Sequence, residues 1–246
     1  MKWLIKSYYK IIIIILKRGH LEELRKRLVV IVVVNTIAMM LLFSQARMLM
    51  DYLIEVNPGM KLVYTTPSEM LLVYVNLSFI MALILCSPIT VYEIWAFVEK
   101  GLYKHEKRYI LISLFFGLIL FVMGAVFCYF IVLPTTLNFF LKIAITEVKS
   151  MISVQSYVSF VNMMLLAFGV IFEMPVVVFL LTKLGLLKPA FLKKNRAYII
   201  IVIFILAAFI TPPDVVSQIM LGIPMVVLLE LSILVCTLVD KSNRKK

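Results

Sequence analysis

The sequence predicts an all-α polytopic membrane protein with six transmembrane helices, the last two of them short and both termini on the inner side. Its composition is the first observation behind this prediction. Of 246 residues, 63% are hydrophobic and 15% are charged, and the mean hydropathy is +1.08. Soluble domains have roughly 45–50% apolar and about 25% charged residues, and one core of this size cannot bury so much apolar surface. A soluble globular domain, a disordered chain and a disulfide scaffold are therefore excluded.

Six apolar cores follow one another along the chain. The first four are long enough to cross a hydrocarbon layer of about 30 Å as helices. The fifth is shorter than the usual range of about 17–25 residues, and two consecutive prolines end it. We therefore expect the fifth and sixth spans to form a short helical hairpin, and we expect Pro88 to end or kink the second span. The predicted cores are Leu28–Ala46, Leu71–Thr90, Ile110–Leu133, Tyr157–Leu181, Ala197–Ile210 and Ile219–Thr237.

The distribution of basic residues predicts the orientation. The net charge is +12, and 21 of the 25 Lys and Arg residues fall in four segments: 1–27, 91–108, 183–196 and 238–246. The positive-inside rule places these segments, and with them both termini, in the cytoplasm. Their spread over separate loops argues against nucleic-acid binding. We predict a basic extension at 1–19, a membrane domain at 20–237 and a basic cytoplasmic tail at 238–246.

Enzyme and metal signatures are absent from the sequence. There is no nucleophile elbow, no H-E-x-x-H and no phosphate-binding glycine loop. The two histidines, His20 and His105, lie at predicted cytoplasmic boundaries, so no span carries a Ser–His pair. The three cysteines have no metal or disulfide spacing. We expect no catalytic residue, no metal and no cofactor.

Glutamates are the candidate functional residues. Residues 20–28 read H-L-E-E-L-R-K-R-L, in which Glu23 and Arg27 are spaced i,i+4. One interpretation is a solvated, internally paired helix end. Residues 87–108 add Glu93, Glu99 and Glu106 among aromatic side chains. This second segment is either an ordinary amphipathic loop or a shallow acidic site for a basic peptide with an apolar tail. Two further acids, Glu173 and Glu230, lie inside spans, where an ionisable residue usually faces protein or water.

Four ordered segments carry a family resemblance. They are H-L-E-E-L-R-K-R-L, then Y-E-I-W-A-F with G-L-Y-K-H-E-K-R, then F-G-V-I-F-E-M-P at 168–175, and T-P-P-D-V-V-S-Q at 211–218. Together they resemble the motifs of the TatC family, the multispanning subunit of the twin-arginine protein translocase, from about residue 20 to 237. The resemblance implies recognition of twin-arginine signal peptides. With TatA- and TatB-type single-span partners, TatC proteins move folded proteins across an energised membrane, driven by the protonmotive force. It also implies a homo-oligomer within a larger receptor complex.

The resemblance assigns roles to the residues that match family motifs. Glu106 matches the principal acid for the twin arginines, and Glu23 matches an acid associated with the signal-peptide site. Phe97 matches a family aromatic in the same loop. Arg25 and Arg27 match the basic part of the first motif, where we expect them to orient Glu23 or to fix the topology.

The later motifs imply contacts with partner helices. Glu173 matches the family's intramembrane acid, and Phe168, Gly169 and Pro175 around it favour a bent span. Thr211 and Gln218 match polar positions linked to docking of partner helices. The outer turn is expected to be shaped and capped by Pro212, Pro213 and Asp214. Family members often have Gln where this chain has Glu93, which adds an acid near the expected site.

Two function hypotheses remain open from the sequence. The first is a translocase subunit in the bacterial plasma membrane; an organelle-encoded copy would look the same, but the absence of a transit peptide favours a bacterium. The second is a proton-coupled secondary transporter for small molecules that uses Glu173 as its carrier acid. Such carriers usually show repeat symmetry, and no internal repeat is visible.

Overall fold

The structure is a computed structural model. It describes the backbone of residues 2–56, 62–64, 66–98, 104–143, 152–183, 185–210 and 215–244, and the side chains of 22–56, 62–64, 66–97, 109–142, 152–183, 185–210 and 218–241. Five segments in these ranges are long and apolar enough to cross a membrane: Glu22–Ser44, Pro67–Leu85, Tyr109–Lys142, Val154–Lys183 and Gln218–Lys241. A sixth apolar helix, Arg196–Ile210, has 15 residues and is about 22 Å long. Each segment overlaps one predicted core, while a sixth crossing of the membrane stays a prediction.

Helices make up nearly all of the described chain. In order, the elements are α1 Lys2–Ser44, α2 Ala46–Glu55, β1 Leu62–Val63, α3 Pro67–Leu85, α4 Ser87–Val98, α5 Lys104–Phe127, α6 Leu133–Ile143, β2 Ile152–Ser153, α7 Val154–Phe172, α8 Met174–Lys183, α9 Pro189–Lys194, α10 Arg196–Ile210 and α11 Val215–Arg244. A five-residue π-helical turn, Cys128–Val132, joins α5 to α6.

Two short strands depart from the predicted all-α fold. Leu62 pairs with Ile152 and Val63 with Ser153, in parallel. β2 directly precedes α7, and β1 ends four residues before the start of α3. Each strand has only two residues, so no alternating apolar pattern marks it in the sequence. The pair joins the segment before α3 to the segment before α7.

Prolines account for the breaks within three spans. The predicted kink at Pro88 is confirmed, because α3 ends at Leu85 and α4 begins at Ser87. The fourth span is interrupted where the bend is predicted, since α7 ends at Phe172 and α8 begins one residue before Pro175. The π-turn has the same origin. Pro134 has no N–H to donate, and the Leu133 N–H bonds Cys128 O, five residues back.

Helix α7 is the centre of the bundle. Ten of its nineteen residues are buried, so it touches protein on most sides. Glycines let α5 approach it closely: a Cβ at Gly124 would lie 2.5 Å from Phe168 O, and one at Gly169 would lie 2.7 Å from the Phe121 ring. Each helix therefore places an aromatic ring over a glycine of the other, the small-residue packing used between membrane helices.

The two ends of the bundle are held by different contacts. At the end that carries the start of α1, Lys183 Nζ lies 4.8 Å from the Tyr109 ring centroid and joins α8 to α5. At the opposite end, Tyr129 donates to Tyr52 O over 2.9 Å, and the Tyr157 hydroxyl donates to Leu53 O. These two bonds hold the amphipathic helix α2 across the bundle, with Ala46, Met50 and Leu53 facing inwards.

Candidate functional site

An ion cluster joins α1 to α4 at the basic end of the bundle. Arg27 donates from Nε and Nη2 to Glu23 Oε1, over 3.1 and 3.0 Å, and from Nη1 to Glu93 Oε2, over 2.8 Å. The first pair is the predicted i,i+4 contact within α1. The second crosses 66 residues of sequence and depends on α4 turning Glu93 towards α1. The cluster therefore exists only when the two helices are docked.

The cluster is partly shielded from solvent. The exposed side-chain fractions are 22% for Arg27, 15% for Glu23 and 16% for Glu93. In this cluster two carboxylates face one guanidinium. A planar guanidinium matches carboxylates with directed hydrogen bonds, and this arrangement shows that the acids of the first two motifs can bind such a group.

A polar contact inside the bilayer supports the same helix pair. Asn35 donates to Ile31 O over 2.8 Å and to Thr90 Oγ1 over 3.4 Å, and only 8% of Asn35 is exposed. Asn35 lies two turns beyond Arg27 on α1, and Thr90 lies about one turn before Glu93 on α4. The register of α1 against α4 is thus fixed at two levels.

An apolar groove lies on the next face of α4, where it packs beside α5. Its volume is 510 Å³, and it is lined by Pro88, Val91, Tyr92, Trp95, Leu111, Ile112, Leu114, Phe115, Phe116 and Leu118. The Tyr92 and Trp95 ring centroids are 6.0 Å apart. Because Glu93 follows Tyr92 directly, α4 presents an acid on one side and an aromatic groove on the other.

The structure brings together only part of the predicted signal-peptide site. Glu23 and Arg27 meet, and Glu93 joins them. Arg25 is exposed and lines a different, apolar face of α1 with Leu28 and Val32. Phe97 lies half-buried on α4. Glu106 belongs to α5, but its side chain lies outside the described residues, so its contacts with the cluster stay a prediction.

The predicted intramembrane positions whose side chains are described fall in three places. Glu173 is half-buried at the break between α7 and α8, and a methyl group on Gly117 of α5 would lie 4.0 Å from its carboxylate carbon. Gln218 donates to Phe204 O over 2.8 Å, which joins α11 to α10. Glu230 pairs with Arg196 Nε over 2.7 Å. Four predicted residues lie outside the described ranges: Thr211, Pro212, Pro213 and Asp214.

One buried acid was missed by the sequence reasoning. Glu69 is 6% exposed and accepts hydrogen bonds from Ser153 Oγ and, over 3.3 Å, from Gln155 N. It ties the first turn of α3 to the first turn of α7. The run T-P-S-E at 66–69 is a helix-start pattern that could have drawn attention to it. Within the described ranges, no group of three His, Cys, Asp or Glu side chains could hold a metal ion.

Comparison with known proteins identifies the family. The sequence model described as "Sec-independent protein translocase protein (TatC)" matches residues 19–224. This chain belongs to the TatC family. The TatC protein of Helicobacter pylori strain J99 is 42% identical over 227 residues, covering 92% of this chain and 91% of that protein. The TatC protein of Desulforapulum autotrophicum is 39% identical over 220 residues, covering 87% and 82%.

Solved structures agree with the sequence comparison. Two crystal structures titled "Twin Arginine Translocase Receptor- TatC" match this chain with TM-scores of 0.79 and 0.78 at 36% and 37% identity. The alignments cover 89% and 87% of this chain and 99% and 98% of those chains. The resemblance read from the motifs is therefore confirmed. TatC is a membrane transport component and not an enzyme, and membership of this family favours the translocase hypothesis over the small-molecule carrier.

Proposed function

We propose that this TatC protein receives signal peptides with paired arginines and, with TatA- and TatB-type single-span partners, moves folded proteins across the membrane, driven by the protonmotive force. One observation carries the proposal. Carboxylates from α1 and α4 hold a guanidinium at 2.8–3.1 Å at the basic end of the bundle. Such carboxylates can bind the arginine side chain of a peptide. The likeness to the two TatC receptor crystal structures supports the same function.

In the proposed site, Glu106 is the principal acid for the twin arginines and Glu23 is the second. In the empty site Arg27 orients Glu23 through two hydrogen bonds, Arg25 on the other face of α1 is proposed to fix the topology, and Phe97 contributes an aromatic surface. Glu106 is the third residue of α5, where a negative charge is favoured by the helix dipole. The apolar groove between α4 and α5 lies on another face of the helix that carries Glu93, so a peptide that is basic and then apolar would have to pass from one face of α4 to the next to use both.

In the proposed topology, six spans cross the plasma membrane of a bacterium and both termini lie in the cytoplasm. The charge asymmetry of 21 basic residues against four supports it. Residues 1–19 are proposed as a basic extension and residues 238–246 as a cytoplasmic tail. The 15-residue length of α10 is compatible with a crossing where the bilayer thins locally.

Partner helices are proposed to dock on the membrane-facing polar positions Glu173, Thr211 and Gln218, and copies of the chain assemble within the receptor. Glu173 supports this because it is only half-buried at a helix break inside a span. The outer turn formed by Pro212, Pro213 and Asp214 is proposed to set the angle between α10 and α11.

The acids are tested by peptide binding. The solubilised full-length protein is photocrosslinked to a twin-arginine peptide and to the same peptide with paired lysines. We expect the arginine peptide to bind better, and Glu106→Gln or Glu23→Gln to weaken its binding roughly tenfold, because each substitution removes a charge-assisted hydrogen bond. Glu22→Gln is the matched control, since it removes the same charge from the exposed neighbour of Glu23. Equal crosslinking of both peptides would contradict the proposal.

Transport is tested by complementation. The chain is expressed with the single-span partners of its own genome in bacterial cells that lack TatC. We expect export of a folded twin-arginine substrate to return, and to be lost again with Glu106→Gln while the protein remains inserted. Export that does not depend on Glu106 would contradict the assigned site. If a correctly inserted chain restores no export, the proposed function is wrong.

A further inference from the structure

Arg27 is the centre of the cluster between α1 and α4. It uses three of its five N–H donors on two acids, with Nε and Nη2 on Glu23 and Nη1 on Glu93. Because Arg27 follows Glu23 by one helical turn, it reaches that acid in any intact α1. Contact with Glu93 requires α4 as well, so the guanidinium lies at the junction of the two helices.

This internal arginine occupies the place that a ligand arginine needs. The two carboxylates expose only 15% and 16% of their side chains, and the Arg27 fork covers their bonded oxygens. An incoming guanidinium cannot bond those oxygens in the same geometry while Arg27 stays in place. Removing Arg27 without a replacement would take two hydrogen bonds from Glu23 Oε1 and one from Glu93 Oε2, and the loss of such bonds by shielded carboxylates is unfavourable.

Resting on the function proposed above, we propose that Arg27 is the resident occupant of the arginine-binding carboxylates and that an arginine of the signal peptide binds by taking its place. In the empty receptor, Arg27 satisfies Glu23 and Glu93 and keeps α1 docked on α4. On binding, the peptide guanidinium replaces the bonds that Arg27 gives up.

Exchange also supplies specificity. A ligand arginine can restore the same planar set of hydrogen bonds, so Glu23 and Glu93 keep the number of bonds that they accept. A lysine brings one compact ammonium group and cannot reproduce a fork that bridges two acids. Part of the preference for arginine over lysine therefore comes from the bonds broken when Arg27 leaves, which only a guanidinium restores.

The decisive variant is Arg27→Gln, because exchange predicts an effect opposite to that of a supporting residue. Without its internal competitor, the full-length protein should bind the twin-arginine peptide more tightly, by roughly three- to fivefold, the range of one partly solvated ion pair. The twin-lysine peptide should gain at least as much, so the preference for arginine narrows. Dissociation constants of both peptides for the solubilised protein measure this directly.

Controls separate exchange from a general change of charge. Lys26→Gln removes the same charge from the exposed neighbour of Arg27 and should change both affinities less and equally. In a Glu93→Gln background, Arg27→Gln should give a smaller gain, since one of the two vacated carboxylates is gone. Arg27→Lys keeps the charge without the fork and should tighten binding by a smaller factor; it carries the test if Arg27→Gln does not fold.

The possible outcomes discriminate between the two proposals. Weaker binding by Arg27→Gln and Arg27→Lys, with arginine still preferred by the unaltered protein, overturns exchange and makes Arg27 a positioning residue for Glu23. A gain no larger than that of Lys26→Gln also overturns it. If the unaltered protein does not prefer arginine over lysine, the proposed receptor function fails, and exchange fails with it.

Discussion

Glu69 shows how a single side chain can fasten two spans. Its carboxylate accepts hydrogen bonds from Ser153 Oγ and Gln155 N. Ser153 directly precedes α7, and Gln155 is the second residue of that helix. A buried carboxylate is unfavourable unless it is hydrogen-bonded, and here donors at a helix start supply the bonds. The same contact orders the start of α3, whose first turn contains Glu69.

Replacing this carboxylate should weaken the fold. We expect Glu69→Ala to lower the free energy of unfolding by about 1–3 kcal/mol, because it leaves the Ser153 and Gln155 donors at the start of α7 without their acceptor. Ser68→Ala is the control, since Ser68 is exposed on the same turn. Thermal unfolding of both variants in detergent provides the measurement. Equal unfolding temperatures would mean that Glu69 contributes nothing to stability.

The ion cluster was predictable only in part. The Glu23–Arg27 pair follows from i,i+4 spacing on one helix, so sequence alone identifies it. The bond from Arg27 to Glu93 depends on how α4 docks against α1, and no local pattern encodes that docking. The sequence allows both a paired helix end and a binding site, and the cluster shows these side chains in the first role, while the second stays a proposal.

At the level of elements, reciprocal glycines set the distance between α5 and α7. Gly124 lies under Phe168 and Phe172, and Gly169 lies under Phe121. Helix association in lipid depends on close van der Waals packing, because the surrounding acyl chains are as apolar as the side chains. Small residues at the crossing therefore determine how closely these two helices approach.

Two glycines on the same helix provide a matched test. A Cβ at Gly124 would lie 2.5 Å from the backbone oxygen of Phe168, whereas at Gly117 the nearest atom would be 3.8 Å away. We expect Gly124→Ala to destabilise the protein by about 1–3 kcal/mol through overpacking, and Gly117→Ala to be tolerated. Unfolding in detergent compares them. Similar stability of the two variants would show that α5 and α7 can move apart without any loss of stability.

Breaks within spans were more predictable than their form. Pro88 and Pro175 have no N–H, so a helix interrupted near each of them was expected. The π-turn before Pro134 was not, because a proline in a long apolar run equally allows a simple kink. The paired strands were not predicted either, since two residues cannot show the alternation that marks a strand.

For the molecule as a whole, the orientation rests on charge. Tyr64 is 63% exposed near β1, and Lys188 is exposed at the other end of the bundle before α9. We expect Tyr64→Cys to react with a membrane-impermeant thiol reagent from outside intact cells, and Lys188→Cys only after the membrane is opened. The three native cysteines, all buried, are replaced first. The opposite labelling would reverse the proposed topology.

The pairing of β1 with β2 has a consequence for the order of assembly. Leu62 and its partner Ile152 are 90 residues apart, and α3 to α6 lie between them. Contacts that close so long a loop form late, after the intervening segments have been placed. During synthesis, the early helices must therefore wait in the bilayer, and β1 and Glu69 receive their partners only when the chain has emerged as far as the start of α7. The contacts at this end of the bundle therefore form after the surrounding spans are in place.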